Sequence, residues 1–110
     1  MINFRIVIKS IKYKLQRIFR EYSDDETWNL DYTITKFILP RLKLFKKLNN
    51  GYPAHLTEEQ WSEILDKMIK ALENIIKDSE PIPVFLTDEE ETETKEGLKL
   101  FGEYFRALWW

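Results

Sequence analysis

The chain contains no cysteine, so it can form neither a disulfide framework nor a thiolate metal site, and a reducing compartment is the simpler expectation. Its three glycines, Gly51, Gly97 and Gly102, are too scattered for a loop that cradles phosphates. The single histidine, His55, sits in Tyr-Pro-Ala-His-Leu with no serine motif beside it, so no Ser-His-Asp arrangement can be proposed. Carboxylate bundles that hold two metals draw a Glu-x-x-His pair from each of two helices, which one histidine cannot supply. Calcium loops need a glycine at their sharp turn, and the acidic cluster Asp24, Asp25, Glu26 and Asp31 has none. His55 with Glu58 and Glu59 is the other conceivable metal set. The reading is a protein that is not an enzyme, with no catalytic residue, no metal and no cofactor.

Long hydrophobic runs are also missing. No segment approaches the roughly 20 apolar residues that span a bilayer, and residues 1–10 are too short and too charged, with Arg5 and Lys9, for a signal peptide. A cytosolic protein without a membrane partner is expected. With four prolines and no stretch rich in Gly, Ser or Pro, no linker is visible, and residues 1–110 read as a single helical domain. The 44% hydrophobic and 15% aromatic content is enough to oppose the entropy of ordering and argues against disorder. The net charge of -2 hides an asymmetry: residues 1–56 carry 11 Lys and Arg against 5 Asp and Glu, residues 57–110 carry 6 against 14. Such a dipolar chain either points a basic face at an anionic partner or lets its two halves attract each other.

Periodicity predicts an all-α fold, a compact bundle of about four helices. Phe4, Ile8, Ile11, Leu15, Ile18 and Tyr22 form the stripe of the first, although Ile2, Phe4, Ile6 and Ile8 also alternate as a strand would. Ser23, Asp24 and Asp25 can cap a second helix running from about Glu26 to Leu48, with an apolar face of Leu30, Ile34, Phe37, Ile38, Leu42, Phe45 and Leu48. Pro40 lacks the amide proton of the helical ladder and should kink that helix or divide it. Asn49 to Pro53 form a turn, after which Thr57 and Gln60 make a capping box for the third helix, whose stripe starts at Trp61 and ends at Ile76. Pro81 and Pro83 impose a short extended strap over residues 83–86. Thr87 and Glu90 repeat the capping box, and Leu98, Phe101, Phe105 and Leu108 supply the stripe of the fourth helix, widened by Leu100 and Tyr104.

Two clusters stand out as candidate binding surfaces. Between Arg20 and Arg41, the rings of Tyr22, Trp28 and Tyr32 accompany the cations Arg20, Lys36 and Arg41, with Asp25 and Asp31 placed to orient them. Flat rings and positive charge together suit a nucleotide or nucleic acid; the plainer reading makes these residues core and rim of the second helix. At the other end, Trp109 and Trp110 with Phe105 either fold back over the core or form an oligomer interface.

Residues 20–33, Arg-Glu-Tyr-Ser-Asp-Asp-Glu-Thr-Trp-Asn-Leu-Asp-Tyr-Thr, together with Ile38-Leu-Pro-Arg-Leu42, Asn50-Gly-Tyr-Pro53 and Thr57-Glu-Glu-Gln-Trp61, resemble a group of small bacteriophage proteins of uncharacterised function. The resemblance covers roughly residues 15–75. It implies a viral gene expressed in the host cytoplasm and carries no activity onto individual residues. Small phage proteins outside the virion commonly act by occupying something of the host's, so the expected function is binding that counteracts host defence, by sequestering a nucleotide-type signal or inhibiting a host protein. Nucleic-acid binding through the basic N-terminal half and a virion or assembly role are the alternatives. A homo-oligomer is expected.

Overall fold

A computed structural model describes residues 4–79, 82 and 84–109. The fold is all-α, with four helices and no strand among the described residues: α1 (Phe4–Arg20), α2 (Leu30–Leu48), α3 (Glu58–Ser79) and α4 (Asp88–Glu103). Short 3-10 turns occupy Asp24–Thr27 and Phe105–Ala107. Contacts group the chain into two compact units, residues 1–33 and 34–110, with the division inside the first turn of α2.

In the first unit, helical periodicity prevails over alternation at Phe4 to Ile8; Ile2 lies outside the described residues. α1 ends where Glu21 takes a left-handed conformation, φ 70°, and its amide reaches the Arg17 carbonyl at 3.0 Å. Glycine usually fills such a position, because a side chain there costs about 1–2 kcal/mol. Arg17 and Arg20 in the last turn complement the helix dipole. The second helix does not begin at Glu26 as the polar run suggested. Asp24, Asp25 and Glu26 are drawn onto the side chains of α1, and the backbone closes a tighter turn there, with the Trp28 amide on the Asp25 carbonyl at 3.3 Å. Gln16 and Asp24 bond reciprocally: Gln16 Nε2 donates to Asp24 Oδ2 at 2.9 Å, and the Asp24 amide donates to Gln16 Oε1 at 2.7 Å. Regular helix resumes at Leu30.

α2 runs through Pro40 without being divided. The proline cannot donate to the carbonyl four residues back, while the neighbouring Phe37 carbonyl receives Arg41 Nη1 at 2.7 Å. In the second unit, the seam that α2 presents to the core is Thr35, Ile38, Leu39, Leu42 and Phe45. Ile34, Phe37 and Leu48, expected on the apolar face, are exposed.

α3 carries the core. Thr57 and Gln60 form the expected box, with the Thr57 amide on Gln60 Oε1 at 2.9 Å and the Gln60 amide on Thr57 Oγ1 at 3.1 Å. Trp61, Leu65, Met68 and Leu72 then recur at helical spacing, bury against Leu42 and are packed by Phe45, Leu100, Phe101 and Tyr104. Each such side chain contributes about 1.5–3 kcal/mol through the water it sheds.

The α3–α4 contact is made by small and polar residues. A Cβ placed on Gly97 would lie 2.3 Å from the Ala71 Cβ and 2.4 Å from the Lys67 carbonyl oxygen, so the two backbones meet where only glycine fits. One and two turns along, buried Asn74 donates through Nδ2 to the Glu90 carbonyl and to Thr94 Oγ1, both at 3.2 Å. The buried seam of α4 is therefore Thr94 and Gly97, continued by Leu100, Phe101 and Tyr104; Leu98 and Phe105, expected on the stripe, are exposed. Thr87 and Glu90 form the second capping box, and Lys77 Nζ reaches Glu90 Oε2 at 2.7 Å. The Lys77 hydrogen bond, with the Thr87 amide behind it, holds the Glu90 carboxyl down at about 2. Before α4, residues 84–87 have no regular structure: the Val84 amide reaches the Lys77 carbonyl at 3.4 Å, Leu86 is half-buried, and Phe85 is exposed. Pro81 and Pro83 lie outside the described residues.

Candidate functional site: an aromatic cleft

The turn after α2 and the end of α4 meet at the start of α3. The Asn49 side chain ties the turn to itself, donating to the Gly51 carbonyl at 2.8 Å and accepting from the Gly51 amide at 3.0 Å. This is the local chemistry by which asparagine stabilises a turn. The Leu56 amide closes the next turn on the Pro53 carbonyl at 3.0 Å. At the other wall, α4 stops at Tyr104 and continues as a 3-10 turn, with the Ala107 amide on the Tyr104 carbonyl at 2.9 Å. Tighter winding there keeps the rings of residues 104–109 beside the turn rather than along a continuing helix.

Between these walls lies a cleft of about 750 Å³, within the range of small-molecule sites. It is lined by Asn49 to Pro53, His55, Trp61, Glu103, Tyr104, Arg106, Ala107 and Trp109. Its rings are ordered among themselves. His55 stacks on Tyr104, with centroids 6.1 Å apart and planes 14° apart, and Trp61 meets Tyr104 edge-on at 5.7 Å. Tyr52 and Trp109 are exposed at the cleft, Trp109 by 76%. Arg106 supplies a cation, and Glu103 a carboxylate.

One atom in this wall is unusual. Trp61 is buried, yet its Nε1 has no hydrogen-bond partner. A buried indole N–H normally finds an acceptor, since leaving it unmade costs about 1–3 kcal/mol. The sequence marks Trp61 as core, and it is; periodicity carries no sign that the same residue also lines a cleft or that its N–H is left without a partner. Trp109 is marked by its position near a chain end, but its place opposite residues 49–55 depends on a convergence that local patterns do not encode.

The candidate residues of the Arg20 to Arg41 region are distributed differently from the expectation. Arg20 lies over the Tyr22 ring at 4.5 Å, donates to the Tyr22 carbonyl at 3.0 Å and pairs with Asp24. Asp24, rather than Asp25, is thus the carboxylate that orients Arg20. Gln16 and Arg20 hold its carboxyl below the ordinary range. Asp25 instead pairs with Arg17 at 3.2 Å and accepts the Ser23 hydroxyl. Trp28 packs edge-on against Tyr13, centroids 5.5 Å apart, and is otherwise exposed. Asp31 is exposed and Tyr32 half-buried in the first turn of α2. Lys36 and Arg41 belong to the second unit, where Arg41 lies over the Phe37 ring at 3.8 Å. Of the proposed interface residues, Phe105 is exposed and touches Phe101 edge-on at 5.5 Å, Trp109 lines the cleft, and Trp110 lies outside the described residues.

Among the described residues no cluster of three or more His, Cys, Asp or Glu is arranged to hold a metal ion, and no helix is long and apolar enough to cross a membrane. No protein-family model matches the chain, and neither a curated protein nor a solved structure does so.

Proposed function

We propose that this protein works by binding, without catalysis, and that the aromatic cleft receives a small planar anion of the nucleotide type. The observation that carries this reading is that Trp61, whose buried Nε1 has no partner, lines a cleft it shares with the rings of Tyr52, His55, Tyr104 and Trp109. A base offers both things such a wall can use: a flat face for Tyr52, His55 or Trp109, and acceptor atoms for an N–H donor. Base stacking on an aromatic side chain contributes about 1–3 kcal/mol. Arg106 is the group suited to a phosphate, which a guanidinium can grip through two parallel hydrogen bonds. Joined to the resemblance to small phage proteins, this suggests a role in the host cytoplasm: withdrawing a nucleotide-type signal from a host defence.

Native mass spectrometry of the protein purified from bacteria, followed by calorimetric titration with mono- and dinucleotides, tests the reading. The expected result is a retained nucleotide, or a titration that saturates at one site per cleft. Trp61→Phe, which keeps a ring but removes the donor, should weaken binding about tenfold, as should Arg106→Ala, each corresponding to one lost hydrogen bond to a charged or buried partner. Protein that carries no small molecule and gives no heat with any nucleotide would overturn it.

A further inference from the structure

Within the first unit, the apolar face of α1 is left without a covering element among the described residues. With 3.6 residues per turn, Phe4, Val7, Ile8, Ile11, Leu15, Ile18 and Phe19 share an arc of about 120°. Every one of them is exposed, from 40% at Val7 to 83% at Phe19. The opposite, polar face is the one that makes contacts, with Tyr13 and Gln16 half-buried. Gln16 and Arg20 bond Asp24, Arg17 pairs with Asp25 and Glu26, and Tyr13 packs on Trp28. Folding within this unit thus engages the face that water would have solvated and leaves out the face that water rejects, an orientation with a physical cost unless something apolar receives it.

The charge pattern identifies the receiver. α1 contains six cations and no acidic residue in its sequence Phe4–Arg20. Lys12, which also reaches Asp24 at 3.6 Å, borders the apolar arc on one side and Lys14 on the other, where long stems can lie along an apolar surface while their charged heads stay at its edge. We infer that α1 lies in the plane of an anionic lipid surface, with the Phe4 to Phe19 face among the acyl chains and the bordering cations among lipid phosphates. This demands less than a spanning helix: an amphipathic helix resting at an interface needs one apolar face and a basic rim. A second copy of the chain fits less well, because packing two such faces together would set two cationic rims against each other. A nucleic acid would meet the wrong face, since the outward arc is hydrocarbon and Arg17 and Arg20 are occupied by Asp24, Asp25 and Glu26.

The test is sedimentation of the full chain with vesicles rich in phosphatidylglycerol and with pure phosphatidylcholine vesicles. Binding to the anionic vesicles alone is expected, weakening as salt rises. The double variant Ile11→Asp, Leu15→Asp should lose binding completely while keeping its circular-dichroism spectrum, because both positions are exposed. Lys14→Ala should weaken binding about fivefold, the worth of one basic residue near such a surface. Failure to bind either vesicle, or equal binding to both, overturns the inference. So does a concentration-dependent dimer that the double variant abolishes in a protein indifferent to lipid.

Discussion

α1 and α3 carry apolar stripes of the same helical period and put them to opposite use. On α3 the stripe ends at Trp61, Leu65, Met68 and Leu72, all buried, because Leu42, Leu100 and Tyr104 close over it. On α1 the comparable stripe ends in solvent, while the polar side takes up an acidic turn. Amphipathicity therefore states that a helix has a face to cover and leaves open what covers it. The difference lies in the neighbours: α3 is followed by a segment able to pack closely through Gly97, whereas α1 is followed by Asp24, Asp25 and Glu26, which seek cations.

The largest effect that would test this contrast is expected at Trp61. Trp61→Ala should cost about 3–5 kcal/mol in urea unfolding, the range for deleting a buried aromatic. A cost below about 1 kcal/mol would mean that the α3 stripe is no more a core than that of α1.

Gly97→Ala comes next. In an exposed helix interior this change gains about 1 kcal/mol. Here the new methyl group would meet Ala71 and the Lys67 backbone, so a loss of about 1–3 kcal/mol is expected, measured by the same melts. A gain would show that α3 and α4 are further apart than described.

Acid should then erode the second unit through Glu90. Its carboxyl is held at about 2 in the folded chain against an ordinary 4.5, so the folded state favours the charged form. That stability is fully present above about 4.5 and is lost as pH falls from there towards about 2. Thermal melts of the wild type should fall through this window, and those of Glu90→Gln should fall less steeply. Parallel curves would remove Glu90 from the account.

The smallest expected effect is at Ile11. If the α1 stripe is exposed, Ile11→Ala changes stability by no more than about 0.5 kcal/mol. A cost of about 2 kcal/mol or more, as for a core aliphatic residue, would erase the contrast between the two helices.

Much of the secondary structure was legible in residue order because its causes are local. The boxes at Thr57 with Gln60 and at Thr87 with Glu90 form as their spacing predicts, and the helical period of α3 marks its buried face at Trp61. Readings failed where a local preference competed with a distant partner. Ser23, Asp24 and Asp25 look like the cap of a long helix; Ser23 does cap, with Glu26, but only the short turn Asp24–Thr27, while Gln16, Arg17 and Arg20 of the preceding helix hold Asp24 and Asp25, and α2 begins at Leu30. Of the stripe expected on the fourth helix, Leu100, Phe101, Tyr104 and Leu108 pack on the core while Leu98 and Phe105 do not, because the close approach of α3 favours the small Gly97 and the hydrogen-bonding Thr94. The cleft was not legible at all. Tyr52 and His55 are separated from Tyr104 and Trp109 by about fifty residues of chain, and no pattern within a helical turn relates them.

The order of residues by itself determined four amphipathic helices, the caps that start two of them, and a chemistry without cysteine, phosphate loop or histidine pair. Only the tertiary structure decided which apolar stripe became a core, which stayed exposed, and that a core tryptophan with an unsatisfied N–H would also line a cleft. The physical reason is one of range. Capping and periodicity act over one to two helical turns, whereas burial and hydrogen-bond satisfaction depend on whichever groups the folded chain brings alongside.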